Sequence, residues 1–266
     1  NVLETRQLSE DRVALEFENW SVDMPGETVK DMNVKILEGE IFGFGGLAGQ
    51  GKIGIANGIM GLYETQGDVY AFGKRLDLSK LGEALRNDIA FVSEDRRGVG
   101  LLLGESIERN ITFSAMQIKD EFLKRIGFIK ILDKAKADQH ARDMIDLLDI
   151  RCTGPSQVAG SLSGGNQQKV CLARAITMKP KILIVSEPTR GIDIGAKKLV
   201  LEHLTKMNRE HGTTIVMISS ELVELRSLCD RIAIVSEGKV FSIMQPDDSD
   251  AAFGLAMAGV REEVAA

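Results

Sequence analysis

The second half of the chain alternates short apolar runs with longer segments of helical pattern. The apolar runs lie at residues 182–185, 214–218, 231–235 and, after a turn at Glu237-Gly238, 239–244; helical segments lie at 166–178, 195–210 and 221–228. Parallel strands need a crossover connection between them, and that crossover is usually a helix. This alternation therefore predicts an α/β fold with helices crossing over a buried sheet.

The first half of the chain predicts strands followed by a helical lobe. Strand patterns occur at residues 13–17, 34–37, 41–44, 68–72 and 89–92, with a short helix at 81–86. The runs at 34–37 and 41–44 meet across the turn residues Glu38-Gly39-Glu40, so we expect the first 45 residues to form an antiparallel layer. The strand at 41–44 then runs into a glycine-rich loop at 45–51. From 106 to 149 apolar residues recur among Lys, Asp and Arg, which predicts a lobe over about 100–160 that is helical and contains no strand.

Composition excludes several classes of protein. A chain of 266 residues with 44% hydrophobic residues can bury a substantial core. Its net charge of −6, with scattered basic residues, provides no electrostatic footprint for nucleic acid. Cys152, Cys171 and Cys229 are widely spaced and predict unpaired buried thiols in a reducing compartment. No apolar run can span a bilayer, and the chain begins at Asn1, so we expect a soluble cytoplasmic piece of a longer protein.

A phosphate-binding pattern, GxxxxGK, occurs at residues 46–52. Glycines let backbone N–H groups converge on phosphate oxygens, and Lys52 would reach the β and γ phosphates. We expect the amides from Gly49 to Ile53 to form an anion-binding nest. The pattern ends with Ile53 where a Ser or Thr hydroxyl would help to hold Mg²⁺, and an ordinary glycine-rich turn is the alternative. The predicted nucleotide-binding residues here are Gly46, Gly49, Gln50, Gly51, Lys52, Ile53 and Gly54.

A second motif, Leu-Ser-Gly-Gly-Asn-Gln-Gln-Lys, occupies residues 162–169. It is a small-residue turn that feeds a helix N-terminus, with a hydroxyl at Ser163 and glycines that permit close backbone approach. Composition alone would indicate no more than a capped helix start. The eight residues closely resemble the signature motif of ATP-binding-cassette (ABC) ATPases, and the Asn-Gln-Gln ending resembles the simple-sugar importers of ribose, galactose, xylose and arabinose.

Further segments agree with this resemblance in order and spacing. Residues 181–193 resemble the Walker B strand, catalytic glutamate and D-loop, and residues 92–97 occupy the Q-loop position with a sequence similar to C-terminal cassettes of the sugar subfamily. Residues 218–222 fall at the switch-histidine segment, and 253–259 resemble the end of two-cassette proteins. The resemblance covers roughly residues 12–260.

The resemblance implies a P-loop NTPase cassette with a RecA-like core, an antiparallel β subdomain and a helical subdomain. It divides the chain into a linker at 1–11, a nucleotide-binding domain at 12–245 with the helical subdomain inserted at about 100–160, and a tail at 246–266 that ends in a short helix.

The chain departs from the family pattern at the positions whose side chains hold Mg²⁺ and the attacking water. Ser186 stands where the family has an Asp that orders Mg²⁺, Ser220 stands at the switch histidine, and Glu94 stands at the Q-loop glutamine. Glu187 remains where a carboxylate can orient the attacking water. The candidate catalytic residues are Glu187, Ser220 and Glu94, and no residue is assigned as a metal ligand.

In the family, two cassettes pack head to tail, so each nucleotide lies between one Walker A loop and the other cassette's signature. This chain keeps the signature residues Ser163, Gly164 and Gly165 and the D-loop Asp193, while its own loop is altered. We therefore expect ATP and weakly held Mg²⁺ as cofactors, an own site that turns over slowly, and a signature that serves the partner cassette.

The resemblance implies an ATPase that powers simple-sugar import at the cytoplasmic face of the cell membrane. Expected partners are a second cassette (the N-terminal half of the same chain or a homologue), transmembrane permease subunits and, indirectly, a periplasmic or extracellular sugar-binding protein; no nucleic acid is expected. Two alternatives stay open. One is a regulatory module that binds nucleotide without hydrolysis, and the other is a soluble ABC ATPase of ribosomes or DNA, whose long basic or coiled-coil insertions this acidic chain lacks.

Overall fold

A computed structural model of the protein describes residues 8–260, which form two compact units. The first unit contains the chain up to Ile89, Lys181–Glu187, and the chain from Leu204 onward. The second unit contains Ala90–Pro180 and Pro188–His203. Residues 1–7 of the predicted linker and 261–266 of the predicted tail lie outside the described residues.

The strands and helices follow the predicted alternation closely. The strands are β1 (Val13–Val22), β2 (Val29–Leu37), β3 (Ile41–Gly45), β4 (Thr65–Ala71), β5 (Lys74–Arg75), β6 (Ile89–Val92), β7 (Leu123–Ile126), β8 (Ile129–Leu132), β9 (Ile182–Ser186), β10 (Thr214–Ile218), β11 (Arg231–Ser236) and β12 (Lys239–Met244). The helices are α1 (Lys52–Ile59), α2 (Glu83–Arg86), α3 (Ile107–Lys119), α4 (Lys134–Leu147), α5 (Gly164–Thr177), α6 (Ile194–His211), α7 (Leu222–Leu228) and α8 (Asp250–Met257).

An antiparallel sheet in the first unit has the strand order β2-β1-β4-β5. One face of β1 carries Phe17 and Trp20, which are buried with their ring centroids 5.1 Å apart. The antiparallel layer predicted for the first 45 residues is therefore confirmed for β1 and β2. The prediction that the two strands on either side of the turn at 38–40 belong to that layer together was wrong, since β2 pairs with β1 and β3 pairs with β10 and β11 in the other sheet.

The second sheet of the first unit is mainly parallel, with the order β12-β11-β3-β10-β9 within this unit. Strands β11, β3, β10 and β9 run parallel to their neighbours, and β12 is antiparallel to β11. Every residue of β3, β9 and β10 is buried, as expected for strands covered on both faces. Because parallel strands end at one edge, the residues that follow β3, β9 and β10 come together there.

The second unit is built mainly from helices α3, α4 and α5. Helix α3 buries Ile107, Ile111 and Ala115, and it packs against α5. Helix α4 is mostly polar and buries the small residues Ala137 and Ala141. The helical character predicted for about 100–160 is confirmed for α3 and α4, and α5 corresponds to the helix predicted at 166–178.

The prediction that this lobe contains no strand was wrong between residues 123 and 132. Strands β7 and β8 form a two-stranded hairpin, with Ile126 opposite Ile129 across the turn residues Gly127 and Phe128. Gly127 adopts φ +61°, which a two-residue hairpin turn requires and which glycine supplies without strain. Lysines and an arginine interspersed with apolar residues fit a helix pattern as well as a strand pattern, so the periodicity of this segment does not distinguish the two.

The cysteines are unpaired in the structure. Cys171 and Cys229 are buried, as predicted, and Cys152 is only half-buried. Burial raises the pKa of Cys171 to about 11, so this thiol stays protonated at neutral pH.

Candidate functional site

The glycine-rich loop joins the end of β3 to the start of α1. Gly46 adopts φ +143°, and a Cβ atom there would lie 2.3 Å from the carbonyl oxygen of Val235, so only glycine fits. Gly51, with φ +101°, directly precedes α1. The loop therefore turns sharply and presents backbone N–H groups at the helix N-terminus.

Three of these N–H groups converge on one carboxylate, that of Glu27. Gly49 N donates to Glu27 Oε1 at 3.0 Å, while Gly51 N and Ile53 N donate to Glu27 Oε2 at 2.9 and 3.3 Å. The loop amides thus bind an anion that belongs to the same chain. A carboxylate is the chemical stand-in for a phosphate oxygen in such a nest.

The other loop residues support this geometry. Lys52 is fully buried, and its Nζ donates to the carbonyl oxygen of Leu47 at 3.1 Å. Gln50 fixes the loop to the β11–β12 turn by accepting from Glu237 N at 2.6 Å through its side chain. Gly54 lies in the first turn of α1, where a Cβ atom would come within 2.0 Å of the Glu27 carbonyl oxygen.

The carboxyl ends of β9 and β10 bring Glu187 and Ser220 together. Glu187 follows β9 and is buried, with φ +45°. Ser220 donates to Glu187 Oε1 through its Oγ at 2.6 Å and through its backbone N–H at 2.9 Å. This arrangement fixes one oxygen of the carboxylate and leaves Oε2 as the second acceptor.

Ser186, the last residue of β9, is fully buried, and its Oγ finds no hydrogen-bond partner among residues 8–260. An unpaired buried hydroxyl is costly, and a neutral hydroxyl supplies no charge to a divalent cation. Within the same residues, no group of three or more His, Cys, Asp or Glu side chains is placed to hold a metal ion. The phosphate loop thus fits a nucleotide phosphate, whereas Ile53 and Ser186 do not fit a well-held Mg²⁺.

The signature residues lie in the second unit, at the start of α5. Ser163 directly precedes the helix, and Asn166 Nδ2 donates to Ser163 Oγ at 2.9 Å. Asn166 is itself held by Arg151 N, which donates to its Oδ1 at 2.9 Å. These two hydrogen bonds connect Ser163, at the start of α5, to Arg151 through Asn166.

A cavity of about 400 Å³ opens beside these residues and is lined by Ser163, Gly165, Asn166 and Asp193, among others. Asp193 Oδ1 accepts from Ala196 N at 3.0 Å. This backbone hydrogen bond lowers the pKa of Asp193, so its carboxylate stays charged at neutral pH. The structure therefore brings Ser163, Gly164, Gly165 and Asp193 together.

Glu94 also lies in the second unit, just before a π-helical turn at Arg96–Gly100 that the Asp95 side chain caps. Arg96 Nη1 donates to the carbonyl oxygen of Gly164 at 3.1 Å, a link between Q-loop and signature that the sequence did not predict. Glu27 was also missed, although Pro25-Gly26 before it is a signal for a tight turn.

A parallel sheet whose strands end at a phosphate loop defines a P-loop nucleotide-binding fold. The chain belongs to the ABC transporter family, because residues 29–190, more than half of its length, match the model of that family. It is 37% identical over 242 residues to the ribose import ATP-binding protein RbsA of Lacticaseibacillus paracasei, covering 89% of this chain and 46% of that protein. It is 39% identical over 219 residues to RbsA 2 of Rhizobium meliloti, covering 82% of this chain and 41% of that protein.

The chain spans about half the length of these curated relatives. Among solved structures, it resembles a dimeric post-hydrolysis state of the ATP-binding cassette MJ0796 bound to ADP and Pi. That likeness has a TM-score of 0.72 at 23% identity and covers 88% of this chain and all of the other. At this identity the likeness establishes the ABC cassette fold, as the signature motif predicted. No helix within residues 8–260 has the length and apolar character to cross a membrane.

Proposed function

We propose that this chain is the ATP-binding cassette, and one half of the ATPase, of a transporter that imports ribose or a similar simple sugar. The observation that carries the proposal is the phosphate loop, whose amides of Gly49, Gly51 and Ile53 converge on an anion. The relatives named as ribose import ATP-binding proteins support the sugar and the direction of transport.

The cassette's own site is proposed to be degenerate. Ile53 and Ser186 remove the oxygen and the charge that would hold Mg²⁺, and Ser220 replaces the switch histidine beside Glu187. Metal polarisation of a phosphoryl oxygen supplies several kcal/mol. At about 1.36 kcal/mol per tenfold, losing half of that lowers the rate on the order of 10²-fold. Mg²⁺ is therefore held weakly, and this half alone turns over slowly, with Glu187, Ser220 and Glu94 as its remaining catalytic groups.

The signature is proposed to complete the site of a second cassette. Ser163, Gly164, Gly165 and Asp193 line or border one cavity, with a hydroxyl and helix N–H groups available to a phosphate. The dimeric state of the MJ0796 cassette with ADP and Pi is a precedent for two cassettes acting together. The second cassette would be the N-terminal half of a longer chain or a homologue, since the relatives are about twice as long.

The proposed assembly adds transmembrane permease subunits and, indirectly, a sugar-binding protein outside the membrane, with this cassette peripheral on the cytoplasmic face. Within the chain, residues 12–245 form the nucleotide-binding domain, residues from about 100 to 160 its helical subdomain, and the remaining ends a linker and a tail.

The test compares ATP binding and turnover by the 266-residue chain with those of the assembled two-cassette transporter. We expect the single chain to bind ATP with turnover at least about 10²-fold slower. A second candidate function, a regulatory module that binds nucleotide and never hydrolyses it, is favoured by the unpartnered Ser186 hydroxyl. It predicts that Glu187→Gln and signature variants both leave transporter turnover unchanged.

A further inference from the structure

The backbone N–H groups of Gly49, Gly51 and Ile53 form a phosphate cradle, and in this chain that cradle holds an internal carboxylate. Both oxygens of Glu27 are used, one by Gly49 and the other by Gly51 and Ile53, at distances of 2.9 to 3.3 Å. Hydrogen bonds from backbone N–H groups to a charged acceptor are stronger than those to a neutral one. Glu27 therefore binds the same groups that a nucleotide phosphate requires.

A tight turn delivers Glu27 to the loop. Glu27 N donates to the carbonyl oxygen of Met24 at 3.0 Å, and Gly26 has φ +79°, as a type II turn with Pro25 at its second position requires. The space around Gly26 is open, with no atom within 4 Å of where its Cβ would lie. The hydrogen bond and the conformation of Gly26 thus place Glu27 at the end of the turn, next to the loop.

Gly51 of the phosphate loop and Gly54 of α1 permit this close approach. A Cβ atom at Gly54 would lie 2.0 Å from the Glu27 carbonyl oxygen, and one at Gly51 would lie 2.5 Å from that of Thr28. Any larger residue at either position would push the Glu27 segment away from α1. The sequence of the loop and the position of Glu27 are thus matched to each other.

We propose that Glu27 is an internal occupant of the phosphate cradle and that it determines how strongly this cassette binds nucleotide. The inference rests on the proposed function, since it assumes that the loop is a nucleotide site. Two anions cannot share three N–H groups, so a phosphate binds only after Glu27 leaves. The apparent affinity is then reduced by the fraction of molecules whose cradle is empty.

The experiment measures binding of ATP and of inorganic triphosphate to the 266-residue chain and to Glu27→Gln, which keeps the shape and removes the charge. If Glu27 fills about 90% of the cradles, Glu27→Gln binds both ligands about tenfold more tightly, and about a hundredfold more tightly at 99%. Inorganic triphosphate lacks base and ribose, so an equal gain for both ligands places the effect at the phosphates. Glu210→Gln, an exposed glutamate on α6 paired with Lys206, is the matched control and leaves both affinities unchanged.

The Lys52→Ala variant distinguishes a failure of this inference from a failure of the proposed nucleotide site. If Glu27→Gln binds more tightly than the parent chain and Lys52→Ala abolishes that binding, the nucleotide site and the role of Glu27 are both supported. If the parent chain and Glu27→Gln bind equally tightly, and Lys52→Ala abolishes binding in each, the nucleotide site stands and the role of Glu27 is refuted. If no protein binds either ligand, or if Lys52→Ala leaves binding intact, the nucleotide site at this loop is refuted and the role of Glu27 with it. Circular dichroism and thermal unfolding of each variant establish that it is folded.

Discussion

Replacing Gly165 with Glu places a carboxylate at the start of α5, beside Asp193. A Cβ atom at this position lies 3.7 Å from Asp193 Oδ2 and 3.8 Å from Ala196 Cβ, which are ordinary van der Waals distances. A small side chain therefore fits at Gly165. The charge of Glu, more than its first carbon atoms, is what disturbs the site.

The size of the effect follows from the charge of Asp193. Its pKa is lowered by the N–H group of Ala196, so it remains ionised at neutral pH. The carboxylate of Glu at position 165 would lie beside that of Asp193, and two like charges repel each other. On the proposed function, the γ-phosphate of the partner's nucleotide adds negative charge to the same cavity. We therefore expect Gly165→Glu to lower ATPase activity by about 10²-fold.

The assay is the ATPase rate of the assembled transporter at neutral pH. Gly165→Gln matches Glu in volume without its charge, so it separates the effect of volume from the effect of charge. Gly165→Ala is expected to stay near the parent rate. Glu187→Gln alters only the degenerate site of this cassette and is expected to lower the rate less than twofold. The asymmetric assignment is refuted if Glu187→Gln abolishes activity while Gly165→Glu retains most of it, because this chain's own site would then be the working one.

Two further predictions concern stability and membrane coupling. Glu40 is fully buried and forms a bidentate pair with Arg231, so Glu40→Gln should lower the free energy of unfolding in urea by about 3 kcal/mol. Asp68→Asn, in an exposed pair, should lower it by less than about 1 kcal/mol. Equal losses from the two variants would contradict this prediction. We also propose that residues 94–106 contact the permease. In the assembled transporter, Arg97→Cys within that segment should then cross-link to the permease, and labelling only from exposed Ile129 on the hairpin would contradict that placement.

The sequence predicted the central sheet well because its strands are continuous apolar runs with no competing pattern. Strands β10 and β12 have the predicted bounds, and β9 and β11 are each one residue longer. The β7–β8 hairpin was missed because basic residues between isoleucines satisfy a helix pattern as readily as a strand pattern, and the single glycine of the Gly127-Phe128 turn does not decide between them.

The site was predictable only where its residues are contiguous. The phosphate loop and the signature are short local motifs whose spacing is visible in the chain. Glu27 precedes the amides that it binds by 22 to 26 residues, and Ser220 follows Glu187 by 33. Such contacts depend on which strands become neighbours in the folded sheets, and single-sequence periodicity carries no information about that pairing.

Restoring the metal ligands tests whether Glu27 acts as a competitor or through the metal. Competition changes only the fraction of empty cradles, so the gain from Glu27→Gln should be the same whether or not the metal ligands are present. We expect Ile53→Thr with Ser186→Asp to make ATP binding stronger in Mg²⁺ than in its absence, because the pair adds a hydroxyl and a charge. The fold-changes should then multiply in the triple variant, because the metal ligands act on the phosphate-bound state and Glu27 acts on the fraction of empty cradles. Calorimetric titration of the four proteins with and without Mg²⁺ measures this. If Glu27→Gln strengthens binding in the parent but weakens it once the ligands are restored, Glu27 helps to hold the cation, and the competitive role is wrong.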